Sequence, residues 1–383
     1  MKFLHLSDLH LGKRLHEASL IEDQAYILDQ IVSIVAEEAP HAVLIAGDVY
    51  DKSMPTEEAV RLLNAFLSRL QSLCVPVLMI SGNHDSQERL GFGAQLMRSG
   101  GVYVAGSYQP AAEPVTLEDE FGPVDFHLLP FVKAVHVRQH FPEEDIRTVQ
   151  DAVACAIRHM PIQKGRRNVL VAHQFVIGGK PGGSEDFVQD SLSVGGTDQV
   201  DSALFAPFEY VALGHLHNPH HVGDPRIRYC GTPLKYSFDE ARFAKSVTLA
   251  ELDGEGRLTV TALPLCPLRD MQDLRGAFEE LTSPAFLARC SAEAYTRITL
   301  TDEEDVPNAG SRLHFHYPHL LSIRIDNSRT RAAEPLLSGP RSEQRTPESL
   351  VEEFFQLQNG AEMSPAQREY IHELLEAFRE EQA

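Results

Sequence analysis

Five short polar segments of the chain carry residue types that bind divalent metal ions. The segments are Ser7-Asp8-Leu9-His10, Gly47-Asp48, Gly82-Asn83-His84-Asp85, His173 and Gly214-His215-Leu216-His217. Each segment directly follows a short apolar run of the sequence. Carboxylate and amide oxygens combined with neutral imidazoles suit manganese, iron or zinc, and the absence of thiolates from these segments argues against a soft-metal site.

The number of candidate ligands predicts more than one ion. The candidates are Asp8, His10, Asp48, Asn83, His173, His215 and His217. Seven ligands are too many for one ion, whereas two ions about 3.5–4 Å apart that share one carboxylate would use all of them. Such a pair of ions clamps a phosphate group during in-line displacement. Asp48 is the natural bridging ligand.

Each segment taken alone also fits a simpler explanation. Asp-x-His and Gly-Asp are common in turns and caps, and Gly-Asn-His-Asp has the composition of a turn. A surface loop can hold two histidines without any metal. The occurrence of all five segments in one chain, each after a buried strand, favours a metal centre over unrelated turns.

Strands that alternate with helices are predicted to bring these segments together. Strands are expected at 3–6, 43–46 and 75–81, separated by helices at 24–38 and 56–73, and further strands follow near 126, at 169–172 and at 210–213. This alternation is typical of crossover units in a sheet that is buried on both faces. Loops at the carboxyl ends of such strands converge on one crevice, so ligands that are distant in sequence can meet.

Composition limits the class of protein. The chain has 383 residues with 34 Lys+Arg against 55 Asp+Glu, which gives a net charge of -21, and 43% of its residues are hydrophobic. This length predicts two or more domains of a globular protein. We expect a cytoplasmic protein that does not enter a membrane, because no long apolar window occurs and Asp8 interrupts the start of the chain. The acidic charge, taken alone, argues against a protein that coats nucleic acid.

The pattern changes after about Pro264. A helix over 269–281 and strands at 295–300 and 320–325 predict a small α+β module. Residues 327–345 resemble a linker in composition. Two helices with apolar stripes follow from Thr346, and Ser364 and Gln367 have the spacing of a capping box. The predicted domains are therefore 1–265, 266–326, the linker 327–345 and the tail 346–383.

The motifs also resemble those of a known family. Ser-Asp-x-His, Gly-Asp-x-x-Asp, Gly-Asn-His-Asp and Gly-His-x-His, at 7–10, 47–51, 82–85 and 214–217, are similar to those of the calcineurin-like metallophosphoesterases. Longer segments, HLSDLHLGKRL, GDVYDKSMPTEEAV, ISGNHDSQERL, YVALGHLHNPH and GTPLKYSFDE, resemble its DNA-repair nuclease branch. The resemblance implies a four-layer α/β sandwich, with two facing sheets flanked by helices, a small α+β capping domain and a C-terminal helical tail.

The resemblance also implies a role for each residue. One manganese ion would be held by Asp8, His10, Asp48 and His217, and a second ion by Asp48, Asn83, His173 and His215. His84 would face the scissile phosphate without binding metal, and Asp85 would orient His84. The implied activity is exonuclease action on double-stranded DNA ends and endonuclease action on single-stranded or hairpin DNA.

The implied partners are DNA and a large coiled-coil ATPase, which would bind the helical tail. A homodimer within a heterotetramer is expected. Two bound ions supply about four positive charges, which with the partner's surface would offset the acidic chain. Arginines in the linker could add to this: Arg329, Arg331, Arg341 and Arg345.

Two other functions remain open. A phosphatase or small-molecule phosphodiesterase would share the metal motifs but would not need a cap and partner-binding helices. A non-catalytic assembly subunit would keep the metal site only for folding, and the presence of His84 argues against it.

Overall fold

The computed structural model describes residues 1–178, 198–328, 330, 351–352, 355, 362–368, 370–371 and 374. The chain divides into two compact units, one formed by 1–299 with 306–324 and the other by 300–305 with 325–383. Most of the predicted linker and most of the predicted tail lie outside the described residues, as do Arg329, Arg331, Arg341 and Arg345. The domain boundaries at 265, 326 and 345 stay predictions.

Strands occur throughout the larger unit. They are β1 Lys2–Leu6, β2 Arg14–Leu15, β3 Ala18–Ser19, β4 Ala42–Ala46, β5 Val77–Ile80, β6 Val102–Ala105, β7 Val115–Asp119, β8 Gly122–Leu129, β9 Arg167–His173, β10 Phe175–Ile177, β11 Gln199–Asp201, β12 Tyr210–Gly214, β13 His220–Val222, β14 Asp224–Tyr229, β15 Ser246–Leu252, β16 Leu258–Pro264, β17 Met271–Gly276, β18 Tyr295–Leu300 and β19 Leu320–Ile325.

Helices connect many of these strands. They are α1 Ile21–Glu38, α2 Glu57–Ser72, α3 Gln87–Leu90, α4 Ala94–Arg98, α5 Ala134–Arg138, α6 Val149–Arg158, α7 Phe278–Leu281, α8 Pro284–Leu287 and α9 Ala309–His316, with short 3-10 turns at Ser202–Phe205 and Phe238–Glu240. None of the helices in the described part of the chain is long and apolar enough to cross a membrane.

The strands form two six-stranded sheets. The first has the order β16-β15-β1-β4-β5-β6 and the second the order β13-β14-β12-β9-β8-β7. β1, β4, β5 and β6 run parallel in the first sheet, as do β14, β12, β9 and β8 in the second. Parallel strands end at the same edge of their sheet, so each sheet presents a row of carboxyl ends.

The two sheets pack face to face through an apolar layer. The ring of Phe3 lies 5.7 Å from that of Phe126 and 5.4 Å from that of Tyr210, so the first sheet interdigitates with the second. The outer face of the first sheet is covered by α1 and α2, and that of the second by α6. The prediction of a four-layer α/β sandwich is confirmed.

Helix α2 illustrates why the sequence forms these layers. Thr56 caps its amino end, because the Thr56 side chain accepts a hydrogen bond of 3.3 Å from the Ala59 amide. Capping by threonine satisfies a helix amide that would otherwise lack a partner. Leu63, Phe66 and Leu70 are buried on one face of the helix. Helix α2 follows the predicted span closely, whereas α1 begins three residues before the predicted 24.

One predicted element is wrong. Residues 269–281 form strand β17 and the short helix α7, not one helix. Asp273 and Arg275 are exposed, whereas their neighbours Gln272 and Leu274 are half-buried, and this alternation has the period of a strand. Pairing with β18 in the three-stranded sheet β17-β18-β19 overrides the helical propensity of the segment. Strands β18 and β19 span the predicted residues.

The start of this small sheet is anchored to the sandwich by charged contacts. Buried Asp23 of α1 accepts a 2.8 Å hydrogen bond from the Tyr295 hydroxyl and pairs with Arg269 at 3.0 Å. Arg297 pairs with Asp273 at 2.6 Å and lies 3.4 Å from Asp239 of the turn Phe238–Glu240. These contacts attach β17 and β18 to elements that lie beside the candidate ligands.

The two sheets approach closely where β12 ends. A Cβ atom on Gly214 would overlap the Ala46 carbonyl oxygen and lie 2.7 Å from His173 Nδ1. We expect Gly214→Ala to lower the free energy of unfolding by at least about 1–3 kcal/mol, because a rigid backbone cannot give way to an added methyl group. Chemical denaturation measures this change.

The matched control is Gly100→Ala. Its added Cβ would meet nothing closer than 3.4 Å, so its stability should stay within about 0.5 kcal/mol of the parent. Equal stability of the two variants would contradict the inferred close approach.

Candidate metal centre

All seven predicted ligands lie at the carboxyl ends of parallel strands. Those from 8 to 83 follow β1, β4 and β5 of the first sheet, and those from 173 onward end or follow β9 and β12 of the second. Asp8, His10 and His217 present ligand atoms within 4.8 Å of one another, and so do Asp8, Asp48 and His173. The structure therefore brings residues from both sheets to one place.

The backbone at this place is strained. Asp8, His10, Asp48 and His215 have φ values of 51°, 43°, 48° and 103°. Residues other than glycine rarely adopt this left-handed region, and each instance costs about 1–3 kcal/mol. Backbone hydrogen bonds hold the conformation, from the Asp8 amide to the Gly47 carbonyl at 3.0 Å and from the His10 amide to the Asp48 carbonyl at 2.9 Å. Strain of this kind is concentrated at functional sites.

His10 provides the sharpest test of whether the residues fit a metal ion. Its side chain is 1% exposed, yet neither ring nitrogen has a hydrogen-bond partner. Nε2 of His10 lies 3.7 Å from Asp48 Oδ2, which is too far for a hydrogen bond but leaves room for a shared ion. Burial holds the pKa of His10 well below its usual range, so the imidazole is neutral and its lone pair is available. The residues fit a divalent cation.

Asp48 lies between the two groups of ligands. Its Oδ2 faces His10 Nε2 on one side and His173 Nε2, at 3.3 Å, on the other. Its Oδ1 accepts a 2.8 Å hydrogen bond from the His84 amide. Burial opposes ionisation of Asp48, but the neighbouring His173 outweighs burial and holds the pKa of the carboxyl well below its usual range. An ionised carboxylate in this position suits a bridging ligand.

Asn83 connects the ligands of the second group. Its Oδ1 lies 3.0 Å from His173 Nε2 and 3.0 Å from His215 Nδ1. His173 Nδ1 lies 2.8 Å from the Ala46 carbonyl oxygen, to which it donates, so Nε2 is the nitrogen that faces the site. Burial opposes protonation of His173, but the charge of Asp48 raises its pKa to about 9. The carboxylate of Asp48 thus favours positive charge on this side of the site.

Asp85 does not have the role that the sequence predicted. Its carboxylate accepts hydrogen bonds from the backbone amides of Gly82, Val49 and Tyr50 at 2.9, 3.0 and 2.9 Å. The His84 ring is instead held by the carbonyl oxygen of Asp51, which lies 2.9 Å from Nδ1. Asp85 therefore fixes the loop that carries Asp48, while the Asp51 backbone orients His84. Burial, and then the charge of Asp48, raise the pKa of Asp85 to about 6.

Two contacts of the site were missed at the sequence level. Glu240 Oε1 lies 3.1 Å from His217 Nδ1. Lys13 pairs with Asp51 at 2.8 Å. Both acidic residues lie inside the quoted motifs GTPLKYSFDE and Gly-Asp-x-x-Asp, but no spacing rule connects a residue to a histidine 23 positions earlier.

Comparison with known proteins agrees with this geometry. A family model described as calcineurin-like phosphoesterase matches residues 1–219, which is more than half of the chain. The SbcD subunit of the nuclease SbcCD of Staphylococcus epidermidis is 31% identical over 381 residues, which cover 98% of this chain and 98% of that protein. The chain belongs to the SbcD nucleases.

Two further comparisons add less. A family model described as type 5 capsule protein repressor C-terminal domain matches residues 267–359. A crystal structure of TT1561 of Thermus thermophilus is 12% identical, with a TM-score of 0.38, and the match covers 68% of this chain and 98% of that chain. As a member of the SbcD nucleases within the calcineurin-like phosphoesterases, the chain is a metal-dependent phosphodiesterase.

The observed role of Asp85 leads to a test. Asp85→Asn replaces one acceptor oxygen by an NH₂ group, which cannot accept a hydrogen bond from the backbone amides that the carboxylate contacts. We expect a loss of about 1–3 kcal/mol in the free energy of unfolding, because at least one buried amide loses its partner. The control is Asp145→Asn, whose side chain is 72% exposed. If both variants unfold at the same denaturant concentration, Asp85 does not hold this loop.

Proposed function

We propose that this member of the SbcD nucleases is a manganese-dependent enzyme that cuts DNA phosphodiester bonds in the cytoplasm. It would act as an exonuclease on double-stranded ends and as an endonuclease on single-stranded or hairpin DNA. Its role would lie in DNA repair, recombination and replication, together with an SbcC-type ATPase. The observation that carries the proposal is the cluster of ligand atoms from Asp8, His10, Asp48, His173 and His217, with the exposed His84 close to His10 and Asp48.

Two ions are proposed, one for each ligand set. Asp8, His10, Asp48 and His217 would hold one ion, and Asp48, Asn83, His173 and His215 the other. When bound, two such ions activate water and neutralise charge on a phosphate undergoing displacement. Oxygen and imidazole donors without thiolates fit manganese, and the net charge of -21 makes positive charge at the site necessary for binding a polyanion.

His84 would act on the leaving oxygen. Its side chain is exposed, and its amide is fixed by Asp48 while its Nδ1 is fixed by the Asp51 carbonyl. When protonated, His84 would keep its Nδ1 proton on that carbonyl and would have its Nε2 proton to donate to the leaving 3′ oxygen. A general acid must be oriented in this way before it can donate.

The two alternatives make different demands. A small-molecule phosphatase would use the same ligands but gains nothing from helices beyond the small sheet. An assembly subunit that keeps metal only for folding would not need an exposed, oriented His84. Comparing cleavage of bis-p-nitrophenyl phosphate with cleavage of single-stranded DNA, in manganese and without partner, separates the three functions.

The tail is the proposed docking site for the ATPase. Ser364 and Gln367 form the expected capping box, with the Ser364 amide 2.9 Å from Gln367 Oε1 and the Gln367 amide 3.4 Å from Ser364 Oγ. One turn on, Tyr370 and Leu374 are 64% and 49% exposed at helical spacing. An apolar helical face of this kind fits a groove on a partner protein.

A homodimer within a heterotetramer is the remaining part of the proposal. Phe92 and Leu96 are 84% and 81% exposed, beside and within the short helix α4. Large apolar side chains this exposed are typical of surfaces that pair with another protein.

Two variants test the division of roles between ligand and acid. His84→Gln should keep two manganese ions per chain and lower the rate of DNA cleavage by about 10²–10⁴-fold, because only the proton donor is lost. Asp48→Asn should lose metal and activity together, because the amide lacks the charge that both ions share. Metal analysis of the purified variants decides this.

Two outcomes would contradict the assignment. Metal lost from His84→Gln would make His84 a ligand, and two ions retained by Asp48→Asn would remove Asp48 from the bridging position. Arg61→Gln, on the exposed face of α2, serves as the control for handling and folding.

A separate variant tests the tail. Replacing Tyr370 and Leu374 together by serine should weaken association with the ATPase by at least about 100-fold, since each buried side chain contributes roughly 1.5–3 kcal/mol. Manganese-dependent cleavage of single-stranded DNA by the isolated subunit should not change. Phe315→Ser, which alters a side chain 83% exposed in α9, is the matched control for binding. Unchanged affinity for the ATPase would remove the tail from this role.

A further inference from the structure

A buried pair of opposite charges lies behind the metal ligand His217. Glu240 is 1% exposed and Lys245 is 5% exposed. Glu240 Oε2 accepts a short hydrogen bond from Lys245 Nζ and one of 3.2 Å from Thr232 Oγ1. Glu240 Oε1 is thereby left to His217 Nδ1, at 3.1 Å. Both carboxylate oxygens are used, and one of them serves the histidine.

The same residues also hold the backbone of His217. Lys245 Nζ donates to the His217 carbonyl oxygen at 3.0 Å and to Thr232 Oγ1 at 2.7 Å. The Thr232 amide donates to the same carbonyl oxygen at 3.0 Å. The ring of His217 and its main chain are therefore fixed by one connected set of groups, which leaves little freedom for the imidazole to turn.

Burying an ion pair in a protein core has a large unfavourable desolvation free energy. Desolvation of two charges commonly outweighs their attraction, and apolar residues of the same volume are often equally stable. Packing alone thus gives no reason for a lysine and a glutamate at this position. The contact of Glu240 with His217 does give one, because a carboxylate on one ring nitrogen fixes the tautomer and makes the other nitrogen a better metal ligand.

We propose that Glu240, held in place by Lys245, is the positioning residue of His217 and strengthens binding of one of the two ions. The carboxylate keeps the proton of His217 on Nδ1 and turns Nε2 toward Asp8 and His10, with which His217 forms one ligand group. The inference rests on the proposed two-ion function. It is selective, since His217 belongs to one proposed ligand set and not to the other.

The test is a double variant, Glu240→Gln with Lys245→Met, titrated with Mn²⁺ in the absence of DNA. This variant removes both charges together, so no unpaired charge is left buried. Bound manganese is counted by equilibrium dialysis and metal analysis. We expect one of the two dissociation constants to rise about 10–100-fold while the other is unchanged. Titration with Co²⁺ should show a matching change in the absorption of one ion only.

The matched control is Lys235→Met, which removes another lysine of the same segment. Lys235 pairs with Asp270 at 2.6 Å and does not contact His217. Both manganese ions should bind this variant as they bind the parent. If the double variant does not fold, Glu240→Asp replaces it, because it keeps both charges but withdraws the carboxylate from His217 by one methylene. It should weaken the same single ion.

Two results would overturn the inference. Unchanged binding of both ions to the double variant would remove Glu240 from the metal site. Equal weakening of both ions together with a lower melting temperature would mean that the pair only supports the fold. Failure of the proposed function is distinguishable, because the parent protein itself would then bind fewer than two manganese ions.

Discussion

The structure depends on placing two carboxylates, Asp8 and Asp48, in a nearly water-free position at the junction of two sheets. Both side chains are almost fully buried, and their ligand atoms lie close together. Burial and mutual repulsion both disfavour two negative charges, and burial accordingly raises the pKa of Asp8. Only concentrated positive charge relieves this, and His173, whose pKa the charge of Asp48 raises, shares that task with metal ions. The left-handed backbone at Asp8, His10 and Asp48 is the conformational cost of the arrangement.

Much of this centre could be predicted because it follows from topology. Residues that come directly after buried parallel strands must share an edge of the sheet, so the candidate ligands from Asp8 to His217 could be named from the order of residues alone. The layered sandwich followed from the same alternation of strands and helices. What spacing cannot give is the direction of a side chain within a loop. Asp85 adjoins His84 in sequence, yet its carboxylate points toward the backbone of the Asp48 loop.

The helix predicted at 269–281 and the missed contact of Glu240 have a common physical cause. In both cases, contacts with residues that are distant in sequence determine the observed structure. Residues 271–276 include good helix formers, but the neighbouring strand β18 offers them a ladder of hydrogen bonds. No local sequence pattern predicts the contact of Glu240 with His217, because the fold brings this histidine next to Glu240 from a distant part of the chain. The sequence shows which candidate ligands follow the strands of the two sheets. The residues that position those candidate ligands can be identified only from the three-dimensional structure.

The turn Phe238–Glu240 has a consequence for how such proteins can diverge or be recombined. Glu240 on this turn contacts His217. The guanidinium group of Arg297, in the small sheet, lies 3.4 Å from the Asp239 carboxylate and 5.0 Å from the centre of the Phe238 ring. The small module and the catalytic layers are thus not interchangeable parts. In a chimera that carries a relative's small module, the turn Phe238–Glu240 would face a residue that does not match it. We expect such a chimera to bind less metal before any change in how it positions DNA.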